Sequence, residues 1–571
     1  MHSTLLVVLP FSWLSVSGLL VLTYAIARIA RSRLVKSPLH YIPGPPSNSW
    51  VTGNLMQLFN AKGLRFHHDL TINYGDVVKI NGFFGDEQLY ISDPRALQSI
   101  VVKDQDCFEE TSVFIETNKV IFGQGLVATI GDQHKRQRKL VQPVFAVPHL
   151  KKLVPKFYEV AHRLCDVIAG EVKTANDADP SGSAVLDMSM WMSRVALESV
   201  GQTILGYSFD PLDSPSNNPY SKAIRELIPT LFSVSLIRQF APFIARLGSP
   251  SFRRTIVEYT PNGTIQKIKN MSDVMYDTAR DILQTKRRDI AKWGYEGSEN
   301  EGLKDVVSVL MKENDRAAAA EKMTEDEIIG QMTVLIFGAQ DTSASALSRL
   351  VYMLGQHPEV QDKLREELQT ALQHRNADGE LDYDELSSLP WLDAIIKETL
   401  RLYPPVPFVR RVTTRACTVP LLTPIRPTDA AQAPISSLTI PEGTTLFVGI
   451  AAANRSTHIW GSDAREWRPE RWLKADLIPG VQTAAEGARL PGIYAGMMTF
   501  FGGGRSCVGF RFAQMEIKII LATLLTRFKF SSTSDHIVWN LSQIISPSVR
   551  MPETDGKNVE KQGLPTCVTA I

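Results

Sequence analysis

The sequence predicts a mainly α-helical body with a smaller β region, preceded by one N-terminal membrane-spanning helix. Three observations carry this. Apolar residues recur at helical spacing over long stretches, most clearly from 324 to 351. Short alternating stretches occur early in the body. The chain begins with a long, uncharged apolar run.

That run covers residues 4–27, where Leu, Val, Ile, Phe and Trp dominate. As a helix it would be about 36 Å long at ~1.5 Å per residue, enough to cross a bilayer with some tilt. Arg28, Arg31, Arg33 and Lys36 follow at once and nothing basic precedes, so the positive-inside rule places the rest of the chain on the cytoplasmic side. Ala25-Ile26-Ala27 resembles a signal-peptide cleavage site. The missing basic leader, the length of the run and the basic residues after it favour an uncleaved anchor instead. Ile42-Pro43-Gly44-Pro45-Pro46 then reads as a stiff, extended spacer, because proline locks φ and resists helix and sheet pairing. The expected division is an anchor with its basic flank over 1–36, a proline-rich hinge over 37–50, one body over 51–550 and a flexible tail over 551–571.

In the body, Val77-Val78-Lys79-Ile80 and Gln88-Leu89-Tyr90-Ile91 read as strands. Thr324 with Glu327 forms a capping-box pattern. The helix it starts runs on through Ile336 and Leu350 to a stop at Gly355 and Pro358, and is apolar enough to pass through the centre of a domain. Residues 297–323 and 421–438, like the tail, read as surface segments without regular structure.

The chain has 571 residues, 44% of them hydrophobic and 21% charged, with a formal net charge of +1. No repeat or long linker divides it after Ser49, and no global field argues for a nucleic-acid partner. Cysteines stand at 107, 165, 417, 507 and 567, an odd number without a CxxC pair, so neither a disulfide framework nor a zinc site is indicated. Four Asn-x-Ser/Thr sequons, at Asn262, Asn270, Asn454 and Asn540, would go unused on a cytoplasmic body.

The strongest chemistry lies in Phe500-Phe501-Gly502-Gly503-Gly504-Arg505-Ser506-Cys507-Val508-Gly509. Three glycines permit a tight turn and a close approach to a flat ligand. A helical pattern from Phe510 follows, so Cys507 stands at a helix start, where free N–H groups and Arg505 favour a thiolate. A buried structural cysteine is the usual reading of a lone Cys. The whole string, however, resembles the haem-binding signature of the cytochrome P450 family, Phe-x-x-Gly-x-Arg-x-Cys-x-Gly, and matches at Phe500, Gly503, Arg505, Cys507 and Gly509. The resemblance implies haem b with Cys507 as the axial iron ligand.

Further stretches resemble the family in the family's order. Glu398 and Arg401, spaced i, i+3 on one helix face, are similar to its Glu-x-x-Arg helix, and Trp467-Arg468-Pro469-Glu470-Arg471-Trp472 to the loop whose arginine, here Arg471, completes a buried bracing network. Gly338-Ala339-Gln340-Asp341-Thr342-Ser343 is similar to the distal segment of the family's central helix, departing at Ala339 where glycine is usual. Asp341 and Thr342 are thereby implied as the acid and hydroxyl that deliver protons. His134 and Arg138 resemble the Trp-x-x-x-Arg helix that meets a haem propionate, with histidine in the tryptophan position; Arg411 and Arg505 are implied as further propionate partners. Lys135, Arg136 and Lys139 are either a solvated face or a docking patch for an acidic redox partner.

The resemblance covers roughly residues 43–550 and implies a helical prism holding the haem between the central helix and the cysteine loop. It implies insertion of one atom of O₂ into an organic substrate, with electrons from NADPH delivered by an NADPH–cytochrome P450 reductase and with cytochrome b5 as a further donor. The implied location is the endoplasmic reticulum membrane. Phe114, Ile115, Val120, Ile121, Phe122, Val406, Pro407 and Phe408 would line an apolar pocket and suit a lipophilic substrate of terpenoid, steroid or polycyclic aromatic class, although core packing would use the same residues. Two alternatives stand beside this: a haem-thiolate isomerase or dehydratase that needs no O₂, and a catalytically silent haem sensor. The overall style resembles fungal members.

Overall fold

The Thr324 hydroxyl accepts the Glu327 N–H, and the Glu327 carboxylate accepts the Thr324 N–H at 2.9 Å, so the capping box closes in both directions. Glu325, Asp326 and Glu327 place negative charge on the first turn, where the helix dipole favours it. The helix ends at Gln356, because the next helix begins with Pro358 and the residue before a proline is pushed out of the helical region.

The computed structural model describes residues 37–178, 183–214, 218–295, 305–373, 380–473, 489–551 and 560–571, together with Thr23 and Tyr24. Nine helices frame the centre: α1 (Ser112–Phe122), α2 (Gly131–Val141), α3 (Val147–Ala178), α4 (Met188–Val200), α5 (Pro219–Ser233), α6 (Gly263–Trp293), α7 (Glu325–Gln356), α8 (Pro390–Leu402) and α9 (Phe510–Arg527). The capped helix is α7. It is buried along most of its 32 residues and packs most extensively on α4, and also on α6, α8 and α9. One apolar cluster runs through all of these elements.

Five strands form the main sheet in the order Val77–Asn81, Glu87–Ile91, Thr445–Val448, Val409–Thr413, Phe108–Glu109. Neighbours are antiparallel except Glu87–Ile91 with Thr445–Val448. The two alternating stretches are thus the first two strands. The register Phe108↔Thr413 and Glu109↔Val412 brings two distant segments together beside the site described below.

Three expectations of irregular structure fail over part of their length, residues 297–304 and 552–559 lying outside the described residues. Residues 417–425 and 435–440 pair as a hairpin, because Val419, Leu421, Leu438 and Ile440 point inward and are buried. Val306–Arg316 is a helix whose Asp305 side chain accepts the Ser308 N–H. The expected C-terminal tail carries the strands Glu560–Gln562 and Pro565–Ala570; the latter lies between Ser183–Asp187 and Phe528–Ser532, burying Val568. These segments are rich in polar residues or proline, and what orders them is a partner strand or cap that local composition does not reveal.

The proline-rich stretch is docked rather than free: Leu39 and Ile42 are buried, the Lys79 N–H donates to the Pro43 carbonyl at 2.9 Å, and a Cβ on Gly44 would come 1.9 Å from the Lys79 carbonyl oxygen. The expected anchor over 4–27 lies outside the described residues apart from Thr23 and Tyr24, which are helical. Among the described residues no single helix is long and apolar enough to cross a membrane; one bent pair, Pro219–Ser233 with Ile237–Ile244, passes by length and composition at an angle of 81°. Two sequon asparagines have structural tasks. Asn262 caps α6, and Asn454 is fully buried.

Candidate active site

Cys507 follows a loop held by backbone bonds: its N–H donates to the Phe500 carbonyl at 2.9 Å and the Ser506 N–H to the Gly503 carbonyl at 3.2 Å. Phe501 and Gly503 take positive φ, 58° and 59°. Two of these glycines are required by close approach to protein. A Cβ on Gly502 would stand 2.1 Å from the Pro491 carbonyl oxygen, and one on Gly503 2.0 Å from that of Val101. Gly504 donates its N–H to the Gln105 side chain at 2.8 Å. Gly509 caps α9, whose first residue is Phe510. Phe500 meets Tyr494 edge-on at 5.5 Å and so closes one side of the loop.

Cys507 is enclosed by surrounding protein and is nonetheless exposed, so the residue borders a space within the body. Burial pushes its thiol above the ordinary value, against the Gly509 N–H and the Arg138 charge. The helix start alone therefore does not yield the expected low-pKa thiolate. A bound metal ion would, because coordination deprotonates a thiol outright.

Four cationic or polar side chains gather beside this sulfur. Arg138 donates from both terminal nitrogens to Ser506, at 2.7 Å to the carbonyl and 2.9 Å to the hydroxyl, and so grips the cysteine loop. Arg505 donates to the Thr129 carbonyl at 3.0 Å and to Glu109 at 2.7 Å. Arg411 donates to Glu110 at 2.9 Å and lies over the Phe501 ring. The charge of Arg505 acts on Arg138, Arg411 and His134 alike, so the four form one cluster. His134 is held at about 4, by burial first and then by Arg505 and Arg138, and is neutral at pH 7. Glu109 and Glu110 escaped the sequence reading. Only the pairing of Phe108–Glu109 with Val409–Thr413 brings them to the arginines.

On α7 the buried pattern breaks at residues 337–342, where Gly338 is exposed and Phe337, Ala339, Asp341 and Thr342 are partly so. A Cβ on Gly338 would meet nothing within 4 Å. The Thr342 hydroxyl donates to the Gly338 carbonyl at 2.7 Å. Burial raises the Asp341 carboxyl to about 7, only partly offset by a hydrogen bond with Gln340. One residue further on, Ser343 donates to Glu516 of α9 at 2.5 Å. Glu516 is fully buried, its second oxygen has no partner, and burial raises it to about 8. No motif marks Glu516; only its position opposite Ser343 does.

Glu398, Arg401 and Arg471 meet in one buried network. Arg401 makes a bidentate pair with Glu398 at 2.9 and 2.8 Å and donates to the Asn454 and Ala464 carbonyls. Arg471 reaches Glu398 at 3.4 Å and Asp463 at 2.9 Å, and the Trp472 indole N–H donates to Glu398 at 2.9 Å. Of the apolar residues expected to line a pocket, Ile115, Ile121 and Phe122 are buried, and the Phe122 ring packs on Phe337 at 4.6 Å. Val120 is 71% exposed and points outward. Phe408 stacks on His67 at 4.6 Å within a separate small core.

The donor set fits a haem: one cysteine bordering a space within the body, three arginines and a neutral imidazole able to meet two carboxylates, and a helix face without side-chain bulk. Comparison with known proteins agrees. The family model of cytochrome P450 matches residues 43–549. Cytochrome P450 monooxygenases 91 and 212 of Postia placenta are 41% and 39% identical, over 92% and 94% of this chain and 94% and 96% of their own. A ganoderic acid synthetase of Ganoderma lucidum is 36% identical over 91% of this chain and 93% of its own.

Proposed function

Because the chain belongs to the cytochrome P450 family, whose members at this identity are named monooxygenases, we propose that it inserts one oxygen atom of O₂ into a lipophilic organic substrate with NADPH-derived electrons passed on by a reductase. The observations that carry this reading are Cys507 at the start of α9 with Arg138 beside it, and the break in the buried pattern of α7 that bears Asp341 and Thr342.

The haem, when bound, supplies O₂ activation at its iron. The residues supply the rest. The Cys507 sulfur is the residue that would hold the iron and would supply electron density to it. Arg505, Arg411, Arg138 and neutral His134 are the donors available to the two propionates. Asp341, at about 7, is present in both protonation states near neutrality, so it can take up a proton and release it. The Thr342 hydroxyl, which donates to its own helix, retains lone pairs that accept a hydrogen bond from a neighbour. Phe122 and Phe337 pack on each other at 4.6 Å and form an apolar wall beside Gly338.

The apolar wall supports a lipophilic substrate, and the Ganoderma lucidum relative supports testing first the compounds from which ganoderic acid is made. Membrane association is supported by the apolar run over 4–27 and by a stretch that exposes Ile237, Phe240, Phe243, Phe252 and Tyr259. Aromatic contacts from Phe240 to Phe83, on to Phe84 and then to Trp50 join that stretch to the N-terminal entry of the body. The proposed setting is the cytoplasmic face of the endoplasmic reticulum membrane.

The test is an absorbance difference spectrum of dithionite-reduced protein with and without carbon monoxide, beside Cys507→Ala. A strongly red-shifted Soret band that the variant lacks is expected. A band at the position of histidine-ligated haem in folded protein removes the mechanism. Product formation that persists without O₂ and NADPH would assign the isomerase reading instead.

A further inference from the structure

Two arginines outside the cluster around Cys507 are set into the protein without a carboxylate. Arg238 belongs to the turn Ile237–Phe240 that follows α5, and Arg410 to the strand Val409–Thr413. Among the described residues neither takes part in an ion pair. Arg410 donates to the Gln239 side-chain oxygen at 2.9 Å. The Arg238 side chain reaches only the Gln543 side-chain oxygen, at 3.5 Å, and its buried Nε has no partner. The charge of Arg238 acts on Arg410, so the two guanidinium groups lie near each other. Glu110, whose charge also reaches Arg410, is already bonded to Arg411 at 2.9 Å.

Burial holds both guanidinium groups at about 10, below the ordinary arginine value, and for Arg410 the neighbouring Arg238 charge adds to this. Both stay charged at neutral pH. Enclosing two like charges without a counter-charge is unfavourable, and side-chain amides offset it less than a carboxylate does. Each arginine is enclosed by protein yet only partly buried, so the pair borders a space within the body. Three separate segments meet there. Gln239 is anchored by donating to the Ser235 carbonyl at 2.9 Å, and Gln543 stands in the turn that joins Ile537–Ser542 to Ile544–Arg550.

The surroundings are apolar. Arg410 lies over the Phe59 ring at 5.2 Å, and Phe59 packs with Phe408 and Phe447 at 6.4 and 6.1 Å. Leu236, two residues before Arg238, packs on the same small core. Cations in such a place suit an anionic group carried on an apolar body, whereas a plain hydrocarbon would leave both charges desolvated.

Arg410 and Arg411 are successive residues of one strand and so point to opposite faces. Arg411 lies over Phe501 of the cysteine loop and Arg410 over Phe59. The Arg238–Arg410 pair is therefore distinct from the cluster available to the propionates. We infer that Arg238 and Arg410 bind the carboxylate of an amphipathic organic acid whose apolar body lies against Phe59, Phe408 and Leu236. The inference rests on the monooxygenase reading and narrows its lipophilic substrate to one that carries an acid group. No bond is made or broken at the pair.

The experiment uses full-length holoenzyme at about pH 7.5, where carboxylic acids are ionised. Dodecanoic, abietic and lithocholic acids are each titrated by calorimetry beside their own methyl esters, into the wild type, Arg238→Met and Arg410→Met. The carbon monoxide spectrum reports folding. The wild type should bind at least one acid about 10–100 times more tightly than its ester. Either Met variant should lose that preference and keep the ester affinity. In the wild type, that acid should also shield Arg238 and Arg410 from phenylglyoxal, read by peptide mass spectrometry, a result that needs no variant to fold. No acid preferred over its ester, a preference that survives in the folded variants, or arginines left unshielded overturn the inference. Cosedimentation with phosphatidylcholine vesicles, with and without phosphatidylserine, tests the other source of an anion. Binding that phosphatidylserine enhances only in the wild type, with no acid preferred, assigns the pair to lipid headgroups and overturns the inference too. A wild type that prefers an acid but lacks a thiolate-type spectrum overturns the monooxygenase reading alone, whereas a thiolate-type spectrum without acid preference overturns the inference alone.

Discussion

Glu398, Arg401 and Arg471 on one side, and Arg138, Arg411 and Arg505 on the other, are both arginine clusters set into the protein interior, yet they are balanced differently. In the first, the inner charges balance, Glu398 and Asp463 facing Arg401 and Arg471, while Arg468, which also meets Asp463, is half-exposed to solvent, and backbone carbonyls and the Trp472 indole complete the hydrogen bonds. Glu398 and Arg401 are entirely buried. In the second, three arginines meet two carboxylates, Glu109 and Glu110, and His134 stays neutral. A balanced cluster has nothing left to bind and serves to brace. A cluster with surplus positive charge beside a cysteine suits a ligand that brings its own carboxylates.

Variants separate the two plans. The largest effect is expected for Glu398→Ala, which leaves Arg401 buried without its carboxylate: a loss of about 3–5 kcal/mol in urea unfolding, with little holoprotein recovered. Arg505→Leu is expected to leave unfolding nearly unchanged, since removing it also relieves repulsion with Arg138 and Arg411. Transfer of haem to apomyoglobin should instead become about 10–100 times faster, the equivalent of about 1.5–3 kcal/mol for charge-assisted hydrogen bonds. If Arg505→Leu unfolds like Glu398→Ala, the distinction between bracing and binding clusters is lost.

Glu516 is a third way of burying charge, neither paired nor surplus. Its folded value, about 8, lies above the ordinary 4.5, so the folded protein holds a proton that the unfolded chain releases. Its contribution is most favourable below about pH 4.5 and is lost as pH rises towards 8. Against wild type, Glu516→Gln should therefore gain relative stability from pH 5 to 8.5, by up to a few kcal/mol. Parallel stability curves over that range would contradict a neutral buried acid. The smallest effect belongs to Glu110→Gln. Burial already raises this carboxyl, and removing its charge adds to the positive surplus. Haem transfer should slow a few-fold, by about 1 kcal/mol or less, and faster transfer would mean that Glu110 chiefly orients Arg411.

Local pattern made much of the site legible. The capping box at Thr324, the glycine loop before Cys507, and Glu398 with Arg401 one helical turn apart each lie within a few residues, so spacing alone states what can meet. The same local logic does not reach the neighbours of the glycines or the surroundings of the thiol. Gly502 and Gly503 are required by the Pro491 and Val101 carbonyls, which sequence does not place beside them. The Cys507 thiol is raised because burial outweighs the helix-start N–H and Arg138, a balance that depends on everything packed around the sulfur.

By itself the sequence determined the central helix, the helix after Cys507 and the glycine loop before it, because propensity, capping and periodicity act between neighbours in the chain; the acid–hydroxyl pair came from the resemblance to the family. Tertiary structure alone decided which charges far apart in the chain meet around Cys507. Arg411 finds Glu110 across 301 residues, Arg505 finds Glu109 across 396, and Ser343 finds Glu516 across 173. It likewise turned the last residues from a tail into a strand between Ser183–Asp187 and Phe528–Ser532. Such contacts follow from how sheets register and helices cross, and burial then sets the protonation of the groups they bring together.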